Sequence, residues 1–585
     1  MTSQFSLPAH TLSHALAAAL VRHTRQAFGL MGNGNAHLID AFGRLGMRLS
    51  EVRHEAGAVA AADAYTRVSG RIAVATSTYG AGFTNTLTAL AEAAQARTPM
   101  LLVVGDAPSA GPRPWDVDQE MLAAAVGVRT ITVGPDDVEE KVDRAAQTAL
   151  RLRRPVVIAI PYDLAAVAVP PAVDAGIDLS DPAVAQELLA ATRAGSETTA
   201  AEPTPAPAGL DTAIATLAAA SRPLVLAGHG AWLAGASEEL GRVAEILGAL
   251  TSSTALARGV FPDARYDLGI TGGFGQEAAM DVIAEADAVL VVGASLNQFT
   301  MRFGDLFGAG TALVRIDADE VDAPRTNLPV TQLLLQGDAR ELLGTLADGL
   351  ASARPQPSDW RDRVAGLEPG GALRLRESGL AEHPEGVCAD GLLDPRAVAA
   401  RLADLLPEDR HVTSDGGHFI GWANMFWPVA SPERMVMVGT AYQTIGLGLP
   451  TVAGVAAAAP SSTVVLSTGD GGGLMALADL ETAVRTAERC VIVVWNDGAY
   501  GAEVHLYGEM GLDETAMMIP RVDFAALAAA VGATGVRVDR LSDLDALAEW
   551  RQAGGTGTIL LDCRVSRSVV APYQREIQRV NGLDV

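Results

Sequence analysis

Two short acidic loops carry residue types that could hold a divalent cation beside a phosphate. The first is the run Gly-Asp-Gly-Gly-Gly at residues 469–473, which follows the apolar stretch 463–468. Glycines after a strand let the backbone approach a phosphate closely, and the start of the next helix favours an anion. Asp470 adds one hard oxygen ligand, which suits Mg²⁺. Taken alone, however, a Gly-Asp-Gly run is also typical of an ordinary turn.

The second acidic loop is the run Asn-Asp-Gly-Ala-Tyr-Gly at residues 496–501, which follows the apolar stretch 491–495. Between Asp470 and Asp497 the chain has room for one helix and one strand, so both loops should return to the same edge of a parallel sheet. Oxygen ligands from two adjacent loops can then hold one Mg²⁺ ion that bridges a diphosphate. The pair of loops therefore predicts a magnesium–diphosphate site.

Three domains are predicted to position these loops. Continuously apolar stretches such as 288–292 are typical of parallel strands buried on both faces. They alternate with stretches such as 137–151 and 474–486, each of which predicts one continuous helix. The alternation predicts an α/β fold with three doubly wound parallel sheets. Two stretches rich in Pro, Gly, Ala and Ser, at 165–208 and 350–390, resemble linkers. The predicted domains are 1–165, 208–350 and 390–585.

The composition limits the partners and the location of the chain. Its 585 residues are too many for one core, and its net charge of −26 repels nucleic acid and acidic membrane surfaces. The three cysteines, Cys388, Cys490 and Cys563, form neither a zinc-binding spacing nor a disulfide framework. The sequence shows no signal peptide and no apolar stretch of about 20 residues, so we expect a cytoplasmic protein without a membrane span.

The two acidic loops together resemble the signature of the thiamin-diphosphate-dependent enzymes, in which Gly-Asp-Gly is followed by Asn-Asn after a helix and a strand. In this sequence Asp497 takes the place of the second Asn, which keeps an oxygen ligand and adds a negative charge. By the resemblance, the ligands of Mg²⁺ would be the side chains of Asp470 and Asp497 and the carbonyl oxygen of Ala499. The resemblance also implies that the cofactor is bound by Gly469, Gly471, Gly472, Tyr500 and Gly501.

The first domain resembles the pyrimidine-binding domain of acetolactate synthases in two segments. They are the run Arg-His-Glu-Ala-Gly at residues 53–57 and the turn Gly-Ala-Gly-Phe-Thr-Asn at residues 80–85. Without the resemblance, Glu55 is an ordinary acid in the first turn of a helix, where the helix dipole favours it. By the resemblance, Glu55 is the activating glutamate. It would hydrogen-bond the aminopyrimidine ring and favour the tautomer that deprotonates the thiazolium ring.

Further segments match the same family in the same order along the chain. The loop at 28–33 resembles the family's Phe-Gly-x-Pro-Gly loop, and it puts Asn33 where relatives have a residue that faces the substrate. The segment 115–120 would point Gln119 towards the thiazolium ring. The resemblance implies that Ile445 supports the bent cofactor and that the Gln443 carbonyl group faces the aminopyrimidine. Diphosphate oxygens would be bound near Gly417, His418 and Phe419.

Two residues after the second acidic loop bear on the reaction. Glu503 lies where pyruvate decarboxylases have a catalytic glutamate, whereas acetolactate synthases have an apolar residue at that position. A carboxyl group there could handle a proton during the reaction, and His505 lies two residues further on. The alternative for both is a solvated helix face. Because Gln119 stands where decarboxylases have paired histidines, the site has a mixed character.

The resemblance implies a reaction on a small 2-oxoacid or ketone. The expected activity is that of an acetolactate-synthase-like lyase and carboligase, which decarboxylates a 2-oxoacid such as pyruvate and transfers the product to a carbonyl acceptor. The alternatives are a decarboxylase that does not ligate, a flavin-containing oxidase, a diketone hydrolase, and a cofactor-binding scaffold without turnover. Some family members hold FAD in the central domain, but the run Gly-Ala-Ser-Leu at 293–296 lacks the family's arginine, which disfavours FAD here.

The resemblance also implies an assembly. The activating glutamate and the magnesium loops lie in different domains, and in the family these domains come from different chains. We therefore expect a homodimer or homotetramer with active sites at the chain interface.

Overall fold

The computed structural model of the chain describes residues 10–170, 208–354, 356–368, 371–373 and 380–583. Most of the linker predicted at 165–208, and part of the connection predicted at 350–390, lie outside the described residues. The described residues form three six-stranded sheets, and all pairs of neighbouring strands in them are parallel. The predicted α/β fold class with three parallel sheets is confirmed.

The first sheet contains strands β1 to β6 and has the order β2-β1-β3-β4-β6-β5. The strands are β1 (Gln26–Gly29), β2 (Arg48–Glu51), β3 (Val74–Ser77), β4 (Leu101–Asp106), β5 (Arg129–Thr132) and β6 (Val156–Pro161). The accompanying helices are Leu12–Val21, Ala36–Leu45, Glu55–Ser69, Ala81–Gln95, Gln119–Ala125 and Val138–Leu152. The chain thus returns to the sheet through helices, as parallel strands require.

The second sheet contains strands β7 to β12 and has the order β12-β11-β10-β7-β8-β9. The strands are β7 (Pro223–Ala227), β8 (Leu250–Ser253), β9 (Asp267–Ile270), β10 (Ala288–Val292), β11 (Ala312–Asp317) and β12 (Thr331–Gln336). The accompanying helices are Leu210–Ala218, His229–Leu233, Ser237–Leu247, Glu277–Ala284 and Ala339–Ala353, with Trp360–Arg363 beyond them. Strands β7 and β10 lie at the centre and are fully buried.

The third sheet contains strands β13 to β18 and has the order β14-β13-β15-β16-β18-β17. The strands are β13 (Arg410–Ser414), β14 (Met435–Met437), β15 (Thr463–Gly469), β16 (Arg489–Asn496), β17 (Thr534–Val538) and β18 (Gly557–Arg564). The accompanying helices are Pro395–Leu405, Ile420–Phe426, Gly448–Ala458, Asp470–Met475, Asp479–Thr486, Gly501–Glu503, Phe524–Ala530, Asp545–Gln552 and Pro572–Val580. Counted from its own first strand, this sheet has the same strand order as the first sheet.

The first and third sheets share one apolar core. Helix Glu55–Ser69 packs against helix Gly448–Ala458 so closely that a Cβ atom on Gly454 would lie 2.0 Å from the carbonyl oxygen of Ala61. Buried side chains from both sheets belong to a single hydrophobic cluster. This packing fixes the two outer domains of one chain relative to each other. Within the described part of the chain, none of the helices has the length and apolar character needed to cross a membrane.

Candidate active site

The two acidic loops lie side by side at the carboxyl ends of β15 and β16. Asp470 is buried and begins the helix that follows β15, and its Oδ1 atom accepts a hydrogen bond of 2.8 Å from the amide of Gly471. Its Oδ2 atom accepts a second bond, also 2.8 Å, from the amide of Gly498 in the other loop. The strands β15 and β16 are direct neighbours in the sheet. The structure thus brings the two loops together as their spacing predicts.

Asp497, in the second acidic loop, contributes the other carboxylate at this edge of the sheet. It is half-buried, and its Oδ1 atom accepts a hydrogen bond of 3.0 Å from the amide of Ala499. Burial raises the pKa of Asp470, and burial together with the negative charge of Asp470 raises the pKa of Asp497. Each carboxylate opposes the ionisation of the other, and a divalent cation bound to both would relieve this repulsion. The residues present therefore fit Mg²⁺.

The glycines of the first acidic loop pack closely against side chains of the neighbouring loops. A Cβ atom on Gly471 would lie 2.7 Å from the ring of Tyr500, and one on Gly472 would lie 2.6 Å from the Oδ2 atom of Asp415. Neither position accepts a side chain without movement of its neighbours. The glycines therefore form a close-packed floor at the start of the helix that follows β15, where backbone amides favour an anion such as a diphosphate.

Asp415 joins the loops around this floor and was not singled out by the sequence analysis. Its carboxylate is fully buried and accepts hydrogen bonds from the amides of Gly416, at 2.8 Å, and Gly446, at 3.0 Å. Burial raises the pKa of Asp415 to about 6. Since Gly446 directly follows Ile445, the bond also fixes the residue predicted to support the cofactor. The signal in the sequence is the run Asp-Gly-Gly at residues 415–417, which directly follows β13.

The segment predicted to face the aminopyrimidine holds an unusual backbone conformation. Gln443 has a φ of +58°, a left-handed value that costs free energy for a residue with a side chain. The side chain of Ile445 lies beside the backbone of Gly416, where a Cβ atom would meet its Cγ2 atom at 3.1 Å. The strain shows that this turn is held by its surroundings rather than by local preference.

The structure buries both histidines near the acidic loops. The Nε2 atom of His418 accepts a hydrogen bond of 2.9 Å from the amide of Ala571, so its Nδ1 atom carries the proton. The rings of His418 and His505 lie 4.6 Å apart, and the Nε2 atom of His505 has no hydrogen-bond partner among the described residues. Burial lowers the pKa of His418 to about 3 and that of His505 to about 4. Both rings are therefore neutral at physiological pH.

The side chains of Glu503 and Phe419 differ in their surroundings. Glu503 is exposed at the end of the helix Gly501–Glu503, whereas the ring of Phe419 lies over Gly469, where a Cβ atom would meet it at 2.8 Å. Phe419 therefore contributes an apolar wall beside the first acidic loop. Glu503 remains free to face a group bound at that loop from the solvent side.

The activating glutamate predicted in the first domain lies at the carboxyl edge of the first sheet. Glu55 is the first residue of its helix, and it is half-buried. Its Oε2 atom accepts a hydrogen bond of 3.0 Å from the side-chain amide of Asn85, and a Cβ atom on Gly82 would lie 3.1 Å from its Oε1 atom. The segment 80–85, predicted as a turn, instead forms the start of the helix Ala81–Gln95, and this helix start holds the Glu55 carboxylate.

Two further predicted residues lie at the same edge. Gln119 is buried, and its amide is bonded to the backbone: Oε1 accepts from the amide of Gly80 at 2.7 Å, and Nε2 donates to the carbonyl oxygen of Gly105 at 2.9 Å. Gln119 therefore fixes the turn next to Glu55. Asn33 is exposed, and its Nδ2 atom lies 3.5 Å from the hydroxyl group of Tyr79.

Within one chain, the two parts of the candidate site are not bonded to each other among the described residues. Among the described residues, Glu55 forms no hydrogen bond or ion pair with either acidic loop. The domains contact each other elsewhere: the amide of Arg53 donates to Asp479, and the guanidinium group of Arg67 donates to the carbonyl oxygen of Met437. The candidate site thus has two parts, a half-site around Glu55 and a metal half-site around Asp470 and Asp497.

Comparisons with known protein families identify the family of the chain. Family models of the thiamine pyrophosphate enzymes match residues 10–126 as the N-terminal TPP binding domain, 210–346 as the central domain and 415–563 as the C-terminal TPP binding domain. The chain belongs to the thiamine pyrophosphate enzyme family, and its two outer domains are TPP-binding domains.

Relatives with several activities match nearly the whole chain. A probable 2-ketoarginine decarboxylase of Pseudomonas aeruginosa is 30% identical, with 95% of this chain and 94% of the relative covered. A sulfoacetaldehyde acetyltransferase of Alcaligenes xylosoxydans is 27% identical, with 94% and 92% covered. The acetolactate synthase isozyme 3 large subunit of Escherichia coli is 28% identical, with 89% and 88% covered.

A solved structure shares the fold. The thiamine diphosphate-dependent 4-hydroxybenzoylformate decarboxylase of Rhodococcus jostii RHA1 superposes with a TM-score of 0.71 at 20% identity, and the match covers 95% of this chain and 99% of that one. At this identity the likeness concerns the three-domain architecture.

Proposed function

We propose that the protein is a thiamin-diphosphate- and magnesium-dependent enzyme that decarboxylates a 2-oxoacid, such as pyruvate, and joins the remaining acyl unit to a carbonyl acceptor. The observation that carries this proposal is the pair of carboxylates, Asp470 and Asp497, beside a glycine floor in a TPP-binding domain. The first domain supplies Glu55 at the carboxyl edge of the first sheet. Relatives named acetolactate synthase and acetyltransferase support the ligating step.

In this proposal the residues of the metal half-site would bind the cation and the diphosphate. Asp470, Asp497 and the carbonyl group of Ala499 would hold Mg²⁺, which in turn would hold the diphosphate over Gly471 and neighbouring backbone amides. Bound thiamin diphosphate would supply a carbanion for attack on the substrate carbonyl group and an electron sink for the pair left behind when CO₂ departs.

The activating half-site would control protons at the cofactor ring. Glu55 would exchange a hydrogen bond with the pyrimidine nitrogen, and Asn85 would hold the carboxylate in place. Gln119 would keep the adjoining turn rigid through its two backbone hydrogen bonds. Ile445 would press on the cofactor from the other half-site and bring its rings together.

A second function, decarboxylation without ligation, is favoured by one observation. Glu503 is exposed beside the second acidic loop, where a carboxyl group could deliver a proton to the acyl unit in place of a carbonyl acceptor. The 30% identical relative is named a decarboxylase. The products distinguish the two functions, because ligation yields acetolactate or acetoin from pyruvate and protonation yields acetaldehyde.

Each complete site would need two chains. Because Glu55 is not bonded to the acidic loops of its own chain among the described residues, we propose a homodimer or a dimer of dimers in which the Glu55 half-site of one chain faces the metal half-site of its partner. Light scattering at working concentration would contradict this if it gave the mass of a monomer while the enzyme was active.

The experiment that tests the function is substrate consumption by purified protein with thiamin diphosphate and Mg²⁺. We expect consumption of pyruvate or another 2-oxoacid that disappears in Glu55→Gln. Glu51→Gln serves as the matched control, because Glu51 is an exposed acid of the same segment. Absence of turnover across a panel of 2-oxoacids, with thiamin diphosphate still bound, would contradict the proposed reaction and leave cofactor binding intact.

A further inference from the structure

The last helix of the chain, Pro572–Val580, is bonded to the loops around the metal half-site. The amide of Ala571, which precedes the helix, donates to the Nε2 atom of His418, and the hydroxyl group of Tyr573 donates to the carbonyl oxygen of His418 at 2.7 Å. The helix begins with Pro572, which fixes its first turn. One helix end thus determines the orientation of the loop that follows β13.

The same helix lies against an irregular turn that follows the second acidic loop. The short helix Gly501–Glu503 continues into a π-helical turn at Val504–Gly508. A change from α- to π-helical bonding shifts the backbone register and leaves carbonyl groups without their regular amide partners. Such a turn persists only where other groups bind those carbonyls.

Two glutamines of the last helix donate to backbone carbonyl groups at this turn and just before it. The Nε2 atom of Gln578 donates to the carbonyl oxygen of His505 at 2.5 Å, and the Nε2 atom of Gln574 donates to that of Ala502 at 3.3 Å. Both glutamines are buried, and their spacing of four residues puts them on one face of the helix. The sequence analysis missed them, although this spacing of two glutamines was a readable signal.

The other face of the helix is anchored to the central domain. Arg302 forms an ion pair with Glu576, with Nε and Oε1 2.5 Å apart. The ring of Tyr573 packs against those of Phe274 and Phe299, at centroid distances of 5.4 and 5.7 Å. The helix is therefore held on both sides and cannot follow the turn if the turn moves.

We propose that Gln574 and Gln578 are positioning residues that hold the turn at 504–508 in its π-helical form. Through this turn they fix where the Glu503 carboxylate and the His505 ring lie relative to the second acidic loop. The proposal rests on the second candidate of the proposed function, in which the Glu503 carboxyl group delivers a proton to the acyl unit. Neither glutamine touches the metal loops, so their effect is on geometry rather than on cofactor binding.

The test compares Gln574→Met, Gln578→Met and the double variant with the control Arg579→Gln. Methionine keeps the volume and removes the donor, whereas Arg579 lies exposed on the same helix and forms an ion pair of 3.5 Å with Asp305. Hydrogen exchange is followed by mass spectrometry in peptides that cover 501–508. We expect exchange there to accelerate about tenfold or more in the double variant and to stay at the wild-type rate in the control.

Activity gives the second readout. With the 2-oxoacid that the wild type consumes, we expect kcat to fall about tenfold in Gln578→Met, while KM and the affinity for thiamin diphosphate stay within about twofold. A helix that served only as packing would lower the amount of folded enzyme without this split between kcat and KM. The milder Gln574→Met variant, which loses the longer bond, keeps the test available if the double variant does not fold.

The outcomes separate the two proposals. Unchanged exchange in the double variant, or an equal change in Arg579→Gln, would overturn the positioning role. Faster exchange with unchanged kcat would show that the glutamines hold the turn without controlling the reaction, which also overturns it. Failure of the wild type to consume any 2-oxoacid would refute the proposed function, and the exchange experiment would still decide whether the glutamines hold the turn.

Discussion

Asp497 is the position where this chain departs from the Asn-Asn signature of the family it resembles, and its charge has a measurable consequence. Asp497→Asn keeps an oxygen ligand but removes one of two carboxylates that share the metal half-site. Burial, together with the repulsion from Asp470, raises the pKa of Asp497, so the ionised pair opposes folding when no cation is bound. For one buried and one half-buried carboxylate, the repulsion costs about 1 to 2 kcal/mol.

In EDTA at pH 8 we therefore expect Asp497→Asn to be more stable than the wild type, with a melting temperature higher by about 1 to 3 °C. We expect the wild type to bind Mg²⁺ about tenfold more tightly than Asp497→Asn, because the second negative charge strengthens cation binding. The assay is thermal melting by fluorescence during a Mg²⁺ titration in the presence of thiamin diphosphate. Asp404→Asn is the control, since Asp404 is exposed on a helix remote from the acidic loops. A lower melting temperature for Asp497→Asn in EDTA, or an undiminished Mg²⁺ affinity, would refute the reasoning.

Three further perturbations follow from close contacts and burial. Gly454→Ala places a methyl group 2.0 Å from the carbonyl oxygen of Ala61, so urea unfolding should show a loss of about 1 to 3 kcal/mol; an unchanged midpoint would contradict the packing described. Gly471→Ala puts a methyl group 2.7 Å from the Tyr500 ring, and calorimetry should show about tenfold weaker thiamin diphosphate binding. Wild-type binding would contradict the glycine floor. Burial raises the folded-state pKa of Asp415 from 3.8 to about 6, so its ionisation opposes folding as the pH rises from about 4 to 6. Asp415→Asn should lack this part of the pH dependence in melting experiments, and a parallel pH profile would contradict it.

The sequence patterns predicted the regular part of the fold because they report burial. The stretch 288–292 was predicted as a strand and is β10, since five consecutive apolar residues fit a strand covered on both faces. The stretch 137–151 was predicted as a helix and differs by one residue at each end from the helix Val138–Leu152. Helix ends depend on capping contacts, which an apolar pattern does not contain.

One predicted helix is divided in the structure for a tertiary reason. The stretch 474–486 was predicted as continuous, but the first helix ends at Met475 and the second begins at Asp479. Asp479 is buried and accepts a hydrogen bond of 2.8 Å from the amide of Arg53 in the first domain. A contact between residues more than 400 positions apart cannot be inferred from local periodicity, and it overrides the helical preference of the intervening residues.

The candidate site shows the same division. The adjacency of Asp470 and Asp497 follows from strand and helix lengths alone, so the spacing predicted it. The bond from Ala571 to His418 and the π-helical turn at 504–508 depend on how the last helix docks, which no local pattern specifies. The roles of Glu55, Glu503 and His505 in the reaction remain predictions, because they concern a substrate whose binding is not determined by the fold.

The measurement that tests the central claim most directly is complementation between two inactive variants. Glu55→Gln lacks the activating half-site, and Asp470→Asn lacks the metal half-site. If each active site combines half-sites from two chains, hybrids of these variants contain one intact site. After mixing, dissociation and reassociation, we predict recovery of up to about a quarter of wild-type 2-oxoacid turnover, since about half of the dimers are hybrids with one intact site of two. Turnover that stays at the level of the separate variants, in mixtures shown to contain hybrids, would contradict the shared site.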